Sequence, residues 1–257
     1  TSQVAAFTET QIASLTNAQI DALADTQAAA LTSTQIGALD TTQIVALDAT
    51  ELARLTTSQL KGLVASEVAA LSTTQLATIS ATQLAALTTT ALSGLNQTDL
   101  GTLTATQFAA LGTTQIAALT TTALGGLTAD GIAALATTQI AALTATQIGS
   151  LADTQIAQLS TDQVAALTRL EVAGLTSTQI AALTTSQLAV LSATQMAALS
   201  AAAVSGFTST QLNALTTTQF GALTATELGA MTTTQLGSMT ATQIASLTTT
   251  QLRGLTP

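Results

Sequence analysis

The stretch LTATQFAAL, from Leu103 to Leu111, contains one full copy of the unit that repeats along the chain. A large apolar residue stands at every eighth position from Phe7 to Leu255, and most of these residues are leucine. A second apolar residue follows each of them five positions later, as Phe108 follows Leu103. The 257-residue chain is therefore an array of 32 octapeptides with the consensus LTxTQIAA, the first copy being truncated. An unbroken short period of this kind is typical of repeat proteins.

Each octad carries a signal for the start of a helix. With the leucine as position 1, position 2 is Thr, Ser, Asp or Asn in 27 of 32 copies, and position 5 is Gln or Glu in 27 of 32. This is the spacing of a capping box, as in Thr104 and Gln107. The position-2 oxygen accepts a hydrogen bond from the amide three residues later, and the position-5 side chain binds the amide of the cap residue. Because the next cap follows eight residues on, each helix must be short.

These signals predict an all-α fold, a tight solenoid of very short helices with one helix per octad. One continuous helix is excluded, because eight residues at about 100° each would turn the leucine stripe by about 80° per octad. A β-solenoid is the alternative, since threonine favours strands. The sequence Gln-Ile-Ala-Ala-Leu does not alternate, and no turn residue recurs at a fixed corner, so the helical form is favoured. We expect a single continuous domain over residues 1–257.

Position 3 bears on the size of one coil. Threonine and alanine alternate there from Thr41 to Thr89 and again from Thr217 to Thr249. The alternation predicts a coil of two octads, 16 residues, that places odd and even octads on opposite walls. Duplication of the gene in two-octad blocks explains the alternation equally well.

The residue types also predict which positions are buried. All 17 charged residues lie outside positions 1 and 6, as two buried positions per octad require. Positions 7 and 8 are mostly small, so helices can approach closely, and the hydroxyl at position 4 is expected to form hydrogen bonds within or between units. Position 3 is expected to face solvent, because it accepts Glu9, Asn17, Asp25, Gln97, Asp153 and Arg169.

Three octads replace the position-5 glutamine with alanine and carry glycine at position 8. The pairs are Ala91 with Gly94, Ala123 with Gly126, and Ala203 with Gly206. One interpretation is a specialised coil with a bend or a lateral contact. The other is copying of one variant block.

The composition leaves little for catalysis. His, Cys, Tyr and Trp are absent, so a serine nucleophile has no histidine base and zinc has no imidazole or thiolate ligand. No phosphate-binding loop is present either. We therefore expect no enzyme activity, no catalytic, cofactor-binding or metal-binding residue, no cofactor and no small-molecule ligand.

Nucleic acid and membrane are also unexpected partners. The four basic residues cannot track a phosphate backbone, and no apolar run approaches the roughly 18 residues that a membrane span needs. These basic residues are Arg54, Lys61, Arg169 and Arg253.

Carboxylates remain as candidates for a metal site. Asp40 and Asp48 hold position 2 of successive octads, with Glu51 close by, and could form a weak calcium ladder. The favoured interpretation is that both aspartates cap helices. Asp21 with Asp25, and Asp153 with Asp162, are expected to be solvated surface residues. Leu170, an isolated apolar residue at position 4 beside Arg169, is a candidate contact point.

The segment Thr137-Thr138-Gln139-Ile140-Ala141-Ala142-Leu143 resembles the T-x-Q-[IL]-x-x-L arrays of long, repetitive bacterial surface and adhesin-like proteins. The resemblance extends over the chain and implies a secreted or cell-surface structural role. It carries no catalytic residues that could be transferred.

The leading functional hypothesis is a structural protein of an extracellular or cell-surface filament or stalk that associates with itself. The apolar pattern runs from Val4 and Phe7 to Leu252 and Leu255, whereas soluble solenoids usually end in polar repeats. Open apolar ends favour head-to-tail stacking. The alternative is an ice- or surface-binding module that uses a regular threonine array. A peptide-binding scaffold is disfavoured because aromatic and arginine anchors are scarce.

Overall fold

The computed structural model describes residues 2–255, apart from the side chains of Ser2 and Asp25. Within these residues each octad forms one helix of four to six residues, and no strand is present. The prediction of an all-α solenoid with one very short helix per octad is confirmed, and the β-solenoid alternative is wrong.

The chain divides after Ala134 into two compact units, which are described separately. The expectation of one continuous domain over residues 1–257 stays a prediction. The helices of the first unit are Ser2–Ala5 (α1), Glu9–Ala13 (α2), Asn17–Asp21 (α3), Asp25–Ala28 (α4), Ser33–Ile36 (α5), Thr41–Ala46 (α6), Ala49–Arg54 (α7), Thr57–Leu60 (α8), Ala65–Ala70 (α9), Thr73–Thr78 (α10), Ala81–Leu84 (α11), Thr89–Leu92 (α12), Gln97–Thr102 (α13), Ala105–Ala110 (α14), Thr113–Ala117 (α15), Thr121–Leu124 (α16) and Ala129–Ala134 (α17). Those of the second unit are Thr137–Ile140 (α18), Ala145–Ser150 (α19), Asp153–Ala157 (α20), Thr161–Ala166 (α21), Arg169–Ala173 (α22), Ser177–Ala182 (α23), Thr185–Ala189 (α24), Ala193–Met196 (α25), Ala201–Val204 (α26), Ser209–Ala214 (α27), Thr217–Gly221 (α28), Ala225–Gly229 (α29), Thr233–Gly237 (α30), Ala241–Ser246 (α31) and Thr249–Gly254 (α32).

Each turn between helices is made by extended residues at positions 1 and 2. Before α14, Leu103 has φ −67° and ψ 138°, and Thr104 has φ −78° and ψ 159°. No described residue has a positive φ, so the turns do not depend on glycine. The chain therefore changes direction wherever a leucine and a cap residue follow one another. One such turn occurs in every octad.

Helices stack in three rows within each unit, because each helix contacts the helix three positions along the chain. In the first unit α5 contacts α8, α8 contacts α11, and α11 contacts α14. In the second unit α20 contacts α23, which contacts α26, which contacts α29. One coil thus contains three octads, or 24 residues.

The expected 16-residue coil of two octads is wrong. The side chains that pack between neighbouring coils belong to positions 1, 5 and 6. The residue types at these three positions are the same in nearly all octads. The Thr–Ala alternation lies at position 3, which is exposed or half-exposed, so it does not contribute to the contacts that set the coil size.

The core consists of positions 1 and 6, as predicted. Leu103 is 6% exposed and Phe108 is fully buried. Position 5 forms a third buried row that was not predicted, and Gln107 is 4% exposed. The charged or amide side chains at position 3 that the structure describes are exposed, which confirms the prediction for Glu9, Asn17, Gln97, Asp153 and Arg169. The side chain of Asp25 lies outside the described part.

Small residues at positions 7 and 8 let the backbones of stacked helices come close. A Cβ atom added to Gly126 would lie 1.8 Å from the carbonyl oxygen of Gln97, and one added to Gly206 would lie 1.9 Å from that of Ser177. The glycines of the three alanine-containing octads therefore have a packing role. The backbones are equally close at Gly62, although the octad of Gly62 keeps Gln59 at position 5. Loss of the position-5 glutamine is therefore not the cause of the close backbone contact.

Candidate functional site

The capping box predicted from the octad is present in the structure. The amide of Thr104 donates to Gln107 Oε1 at 2.7 Å, and the amide of Gln107 donates to Thr104 Oγ1 at 3.3 Å. Position-4 hydroxyls also bond within their own unit, since Thr34 and Thr178 lie 3.0 and 3.1 Å from the cap hydroxyls of Thr32 and Thr176. The local part of the sequence interpretation is thereby confirmed.

The same glutamine makes a second, long-range contact. Gln107 Nε2 donates to the carbonyl oxygen of Ile79 at 2.7 Å and to that of Leu76 at 3.4 Å, so it joins its own helix to the loop of the coil below. The carbonyls at a helix end have no partner within the helix, and the amide supplies one. A single side chain therefore starts one helix and binds the end of another.

We name the buried position-5 glutamines that donate in this way the glutamine ladder. In each case Nε2 lies 2.6–2.8 Å from the position-1 carbonyl oxygen 28 residues earlier. The ladder includes Gln35, Gln43, Gln75, Gln83, Gln107 and Gln115 in the first unit, and Gln163, Gln179, Gln187, Gln195, Gln211, Gln219, Gln235 and Gln251 in the second.

Sequence reasoning missed the ladder, although one signal for it was present. A capping box accepts glutamate as readily as glutamine. Position 5 nevertheless holds 23 glutamines and only 4 glutamates. Only the amide offers donors as well as an acceptor, so this bias indicates a carbonyl partner outside the helix.

Four octads fill the ladder position without a polar side chain. Ala91, Ala123 and Ala203 are fully buried there. At Gly131 the neighbouring coil fills the space, because a Cβ atom at this position would lie 3.0 Å from Cε2 of the Phe108 ring. At Gly131 an aromatic ring of the neighbouring coil thus takes the place of the amide.

Two glutamates fill the ladder position in a different way. Glu67 and Glu171 are 2% and 1% exposed, and in each of them Oε1 is buried without a hydrogen-bond partner. Burial raises the pKa of both carboxyls, against the opposing effect of the amides of Val64 and Thr168, which donate to Oε2. Burial also raises the pKa of Glu227, which is 4% exposed at the same octad position.

The carboxylates considered for calcium serve as caps. Asp40 Oδ1 accepts from the amides of Thr42 and Gln43, both at 2.8 Å, and Asp48 Oδ1 accepts from the amide of Glu51 at 2.8 Å. The hydrogen bond from the Thr42 hydroxyl and that from the Gln43 amide lower the pKa of Asp40. Among the described residues no group of three His, Cys, Asp or Glu side chains could hold a metal ion.

The remaining candidates that the structure describes lie on the surface. Asp21, Asp153 and Asp162 are exposed, and Leu170 is 76% exposed. Leu170 and Arg169 line an open groove that also includes Leu143 and Thr144.

The first and last coils expose apolar residues whose counterparts elsewhere are buried. Phe7 is 40% exposed and Leu15 and Leu23 are half-buried, although position 1 is buried in the interior coils. We name these three residues, with the exposed Gln11 and Gln19, the first-coil face.

At the other end the exposed apolar residues stand at position 6. Ile244 is 54% exposed, Leu252 is 46% exposed and Leu236 is half-buried. We name these three residues, with the backbone carbonyls of Met231, Met239 and Leu247, the last-coil face. The two faces expose opposite halves of the contact that joins neighbouring coils.

Every described helix is too short to cross a lipid bilayer.

Comparison with known proteins identifies similarity to one repeat family. A family model described as the ALTTAQ repeat matches residues 108–145, 132–169 and 195–225. Within the matched region Ala142 to Gln147 reads ALTATQ. A search of curated proteins found no match. The chain is thus similar in three regions to a family of repetitive short-motif proteins.

Proposed function

We propose that this protein is a structural component of an extracellular or cell-surface filament or stalk, and that its copies stack head to tail, coil face on coil face. The observation that carries the proposal is the complementarity of the two faces. The first-coil face offers glutamine amides and position-1 side chains, and the last-coil face offers backbone carbonyls and position-6 side chains. Inside each unit these same groups meet at every step between coils.

A further coil of the same repeat fits each face, and in assemblies of the 257-residue chain a second copy supplies it. The contact between copies continues an interface already present within the chain, because Gln35 donates to Phe7 in the same way that Gln11 of one copy would donate to a last-coil carbonyl of another. Such a contact is heterologous, so it extends into a fibre unless the rotation closes a ring. Burial of Phe7, Ile244 and Leu252 at the contact supplies the apolar driving force.

The structural role is supported by the surface and by the family similarity. The side chains that face solvent are mainly Thr, Ser and Ala. The similarity to ALTTAQ repeats is a similarity to repetitive proteins. The extracellular location rests on the resemblance to bacterial surface arrays.

The test is a set of single charged substitutions in the purified 257-residue chain, followed by sedimentation velocity and negative-stain electron microscopy over a range of concentrations. Ile244→Asp places a charge in the last-coil face, and Phe7→Asp places a charge in the first-coil face. Val190→Asp is the matched control, since Val190 is 37% exposed but belongs to neither face.

We expect the wild type and Val190→Asp to form linear assemblies, and each face variant alone to stay monomeric. An equimolar mixture of Phe7→Asp and Ile244→Asp is expected to stop at a dimer, because only one intact pair of faces remains. A wild-type chain that is monomeric at all concentrations, or assemblies that both face variants leave unchanged, would contradict the proposal.

A second candidate function is ice or surface binding, and one observation favours it. Position 4 is exposed in every described octad, and Thr or Ser holds it in nearly all of them. The position-2 hydroxyls are already engaged as caps, so this function would depend on position 4. Thermal hysteresis is its assay, and its absence at millimolar protein would reject it.

A further inference from the structure

Glu67 and Glu171 occupy the ladder position with only half of its hydrogen bonds made. Oε2 of Glu67 accepts from the Val64 amide at 2.7 Å, as the amide oxygen of a ladder glutamine does. Oε2 of Glu171 accepts from the Thr168 amide in the same way. The other carboxyl oxygen of each residue is buried and has no partner.

The ladder shows what this second oxygen faces. In a glutamine octad the corresponding atom is Nε2, which lies 2.7–2.8 Å from the position-1 carbonyl oxygen 28 residues earlier. For Glu67 that carbonyl belongs to Leu39, and for Glu171 it belongs to Leu143. An ionised carboxylate has no proton to donate, so two oxygen atoms would face each other in a buried space.

The helices packed against the two glutamates offer no cation. Glu67 lies on α9, which contacts α6 and α12. Neither of those helices contains a charged residue, although α6 is capped by Asp40. Glu171 lies on α22, which contacts α19 and α25, and both are uncharged. The one cation on its own helix is Arg169, which is exposed at the first position.

We propose that Glu67 and Glu171 are neutral carboxylic acids in the folded chain, that Oε1–H donates to the carbonyl oxygens of Leu39 and Leu143, and that their ionisation weakens the contacts between the coils they join. A protonated glutamic acid has the same donor and acceptor arrangement as glutamine, so it completes the ladder. When the pH rises the proton passes to solvent and the donor is lost.

The direction of the pH dependence follows from the raised pKa of both residues. Below the ordinary glutamate pKa of 4.5 the carboxyls are protonated in the folded and the unfolded chain, and the folded coil keeps its full stability. As the pH rises through the raised folded pKa, this stability is lost. Each unit by which one pKa is raised increases the unfolding equilibrium constant at higher pH about tenfold.

The test compares the full-length wild type with Glu67→Gln/Glu171→Gln. The variant introduces glutamine, which holds position 5 in 23 octads, so it is expected to fold. Glu51→Gln is the matched control, because Glu51 has the same octad position but is only half-buried. Thermal unfolding is followed by circular dichroism from pH 5 to pH 8 at low protein concentration. These conditions stay above the sequence pI of about 4.1, where a low net charge promotes precipitation.

We expect the double variant to unfold at a higher temperature than the wild type at pH 8 and the difference to shrink steadily towards pH 5, while the control follows the wild type throughout. A stability difference that is independent of pH, or a control that behaves like the double variant, would overturn the proposal.

A direct titration gives a second, independent readout in the wild type. The ¹³C shifts of the glutamate carboxyls, assigned by their loss in Glu67→Gln and Glu171→Gln, should titrate above the ordinary range. Titration of both carboxyls at the ordinary glutamate value would also overturn the proposal.

Discussion

Glutamine suits position 5 because its amide satisfies two needs of the fold at once. Gln179 Oε1 accepts from the cap amide of Thr176 at 2.9 Å, while Nε2 donates to the carbonyls of Ile148 and Leu151 at 2.8 and 2.7 Å. The side chain is 1% exposed, so each of these bonds is made away from water. A buried polar group that loses its partner costs about 1–3 kcal/mol. The ladder therefore contributes to stability by giving carbonyl groups of the neighbouring coil a partner away from water.

The contribution of the ladder can be measured with two alanine variants. Gln179→Ala removes the capping contact and the bonds between coils. In the monomeric chain Gln11→Ala removes the capping contact alone, because Gln11 is exposed in the first coil and its Oε1 accepts from the Thr8 amide at 2.8 Å. We expect Gln179→Ala to be less stable than Gln11→Ala by about 1–3 kcal/mol in urea unfolding. Equal losses would show that the bonds between coils contribute nothing.

Glycine is required at position 8 of some octads because a larger side chain would clash with the neighbouring coil, and this requirement can be tested separately. Alanine at residue 126 places its Cβ atom against the Gln97 carbonyl, so Gly126→Ala should destabilise the chain by about 1–3 kcal/mol through overpacking. A Cβ atom added to Gly237 would meet no other atom within 4 Å, so Gly237→Ala should be neutral or stabilising by about 0.5–1 kcal/mol. Chemical denaturation of both variants gives the comparison, and a stable Gly126→Ala would refute the close approach.

At the scale of the element, a helix of four to six residues does not persist alone in water, because nucleation is unfavourable. Here each helix is held by a cap at its start and by neighbouring coils. Ala136 and Ala152 lack a side-chain cap, yet their amides still donate to Gln139 and Gln155 at 2.7 and 2.8 Å. Half of the capping box therefore survives wherever the glutamine is kept.

Restoring the missing half should stabilise such a helix. Ala152→Thr supplies a hydroxyl that can accept from the Gln155 amide, and the expected gain is about 1 kcal/mol. Ala105→Thr is the matched control, because Ala105 is exposed at the position after a cap. The control should change stability by less than about 0.5 kcal/mol. Thermal melts of the two variants test this, and a gain that is the same in both would assign the effect to threonine rather than to capping.

At the scale of the molecule, the sequence was sufficient for every local feature. The helix starts, the buried positions 1 and 6 and the small positions 7 and 8 follow from residue types that act within one octad. The coil size was not readable, because the contacts that set it join Gln107 to the backbone carbonyls of residues 76 and 79, and a carbonyl has no sequence signature. The bias towards glutamine at position 5 was the one available signal.

The same reasoning explains what was missed at the buried glutamates. From the sequence, Glu67 and Glu171 look like ordinary members of a capping box. Their side chains are buried by the coils on either side. These coils are distant in sequence, so only the three-dimensional structure shows the contact.

The central claim is that one coil contains three octads, and spin labels test it most directly. The chain has no cysteine, so pairs of introduced cysteines are the only labelling sites. Ser186, Ala202 and Thr210 are exposed at position 4 of α24, α26 and α27, and α24 contacts α27. We predict stronger dipolar broadening for the 186/210 pair than for the 186/202 pair in the electron paramagnetic resonance spectrum. Stronger broadening for the 186/202 pair would contradict the 24-residue coil.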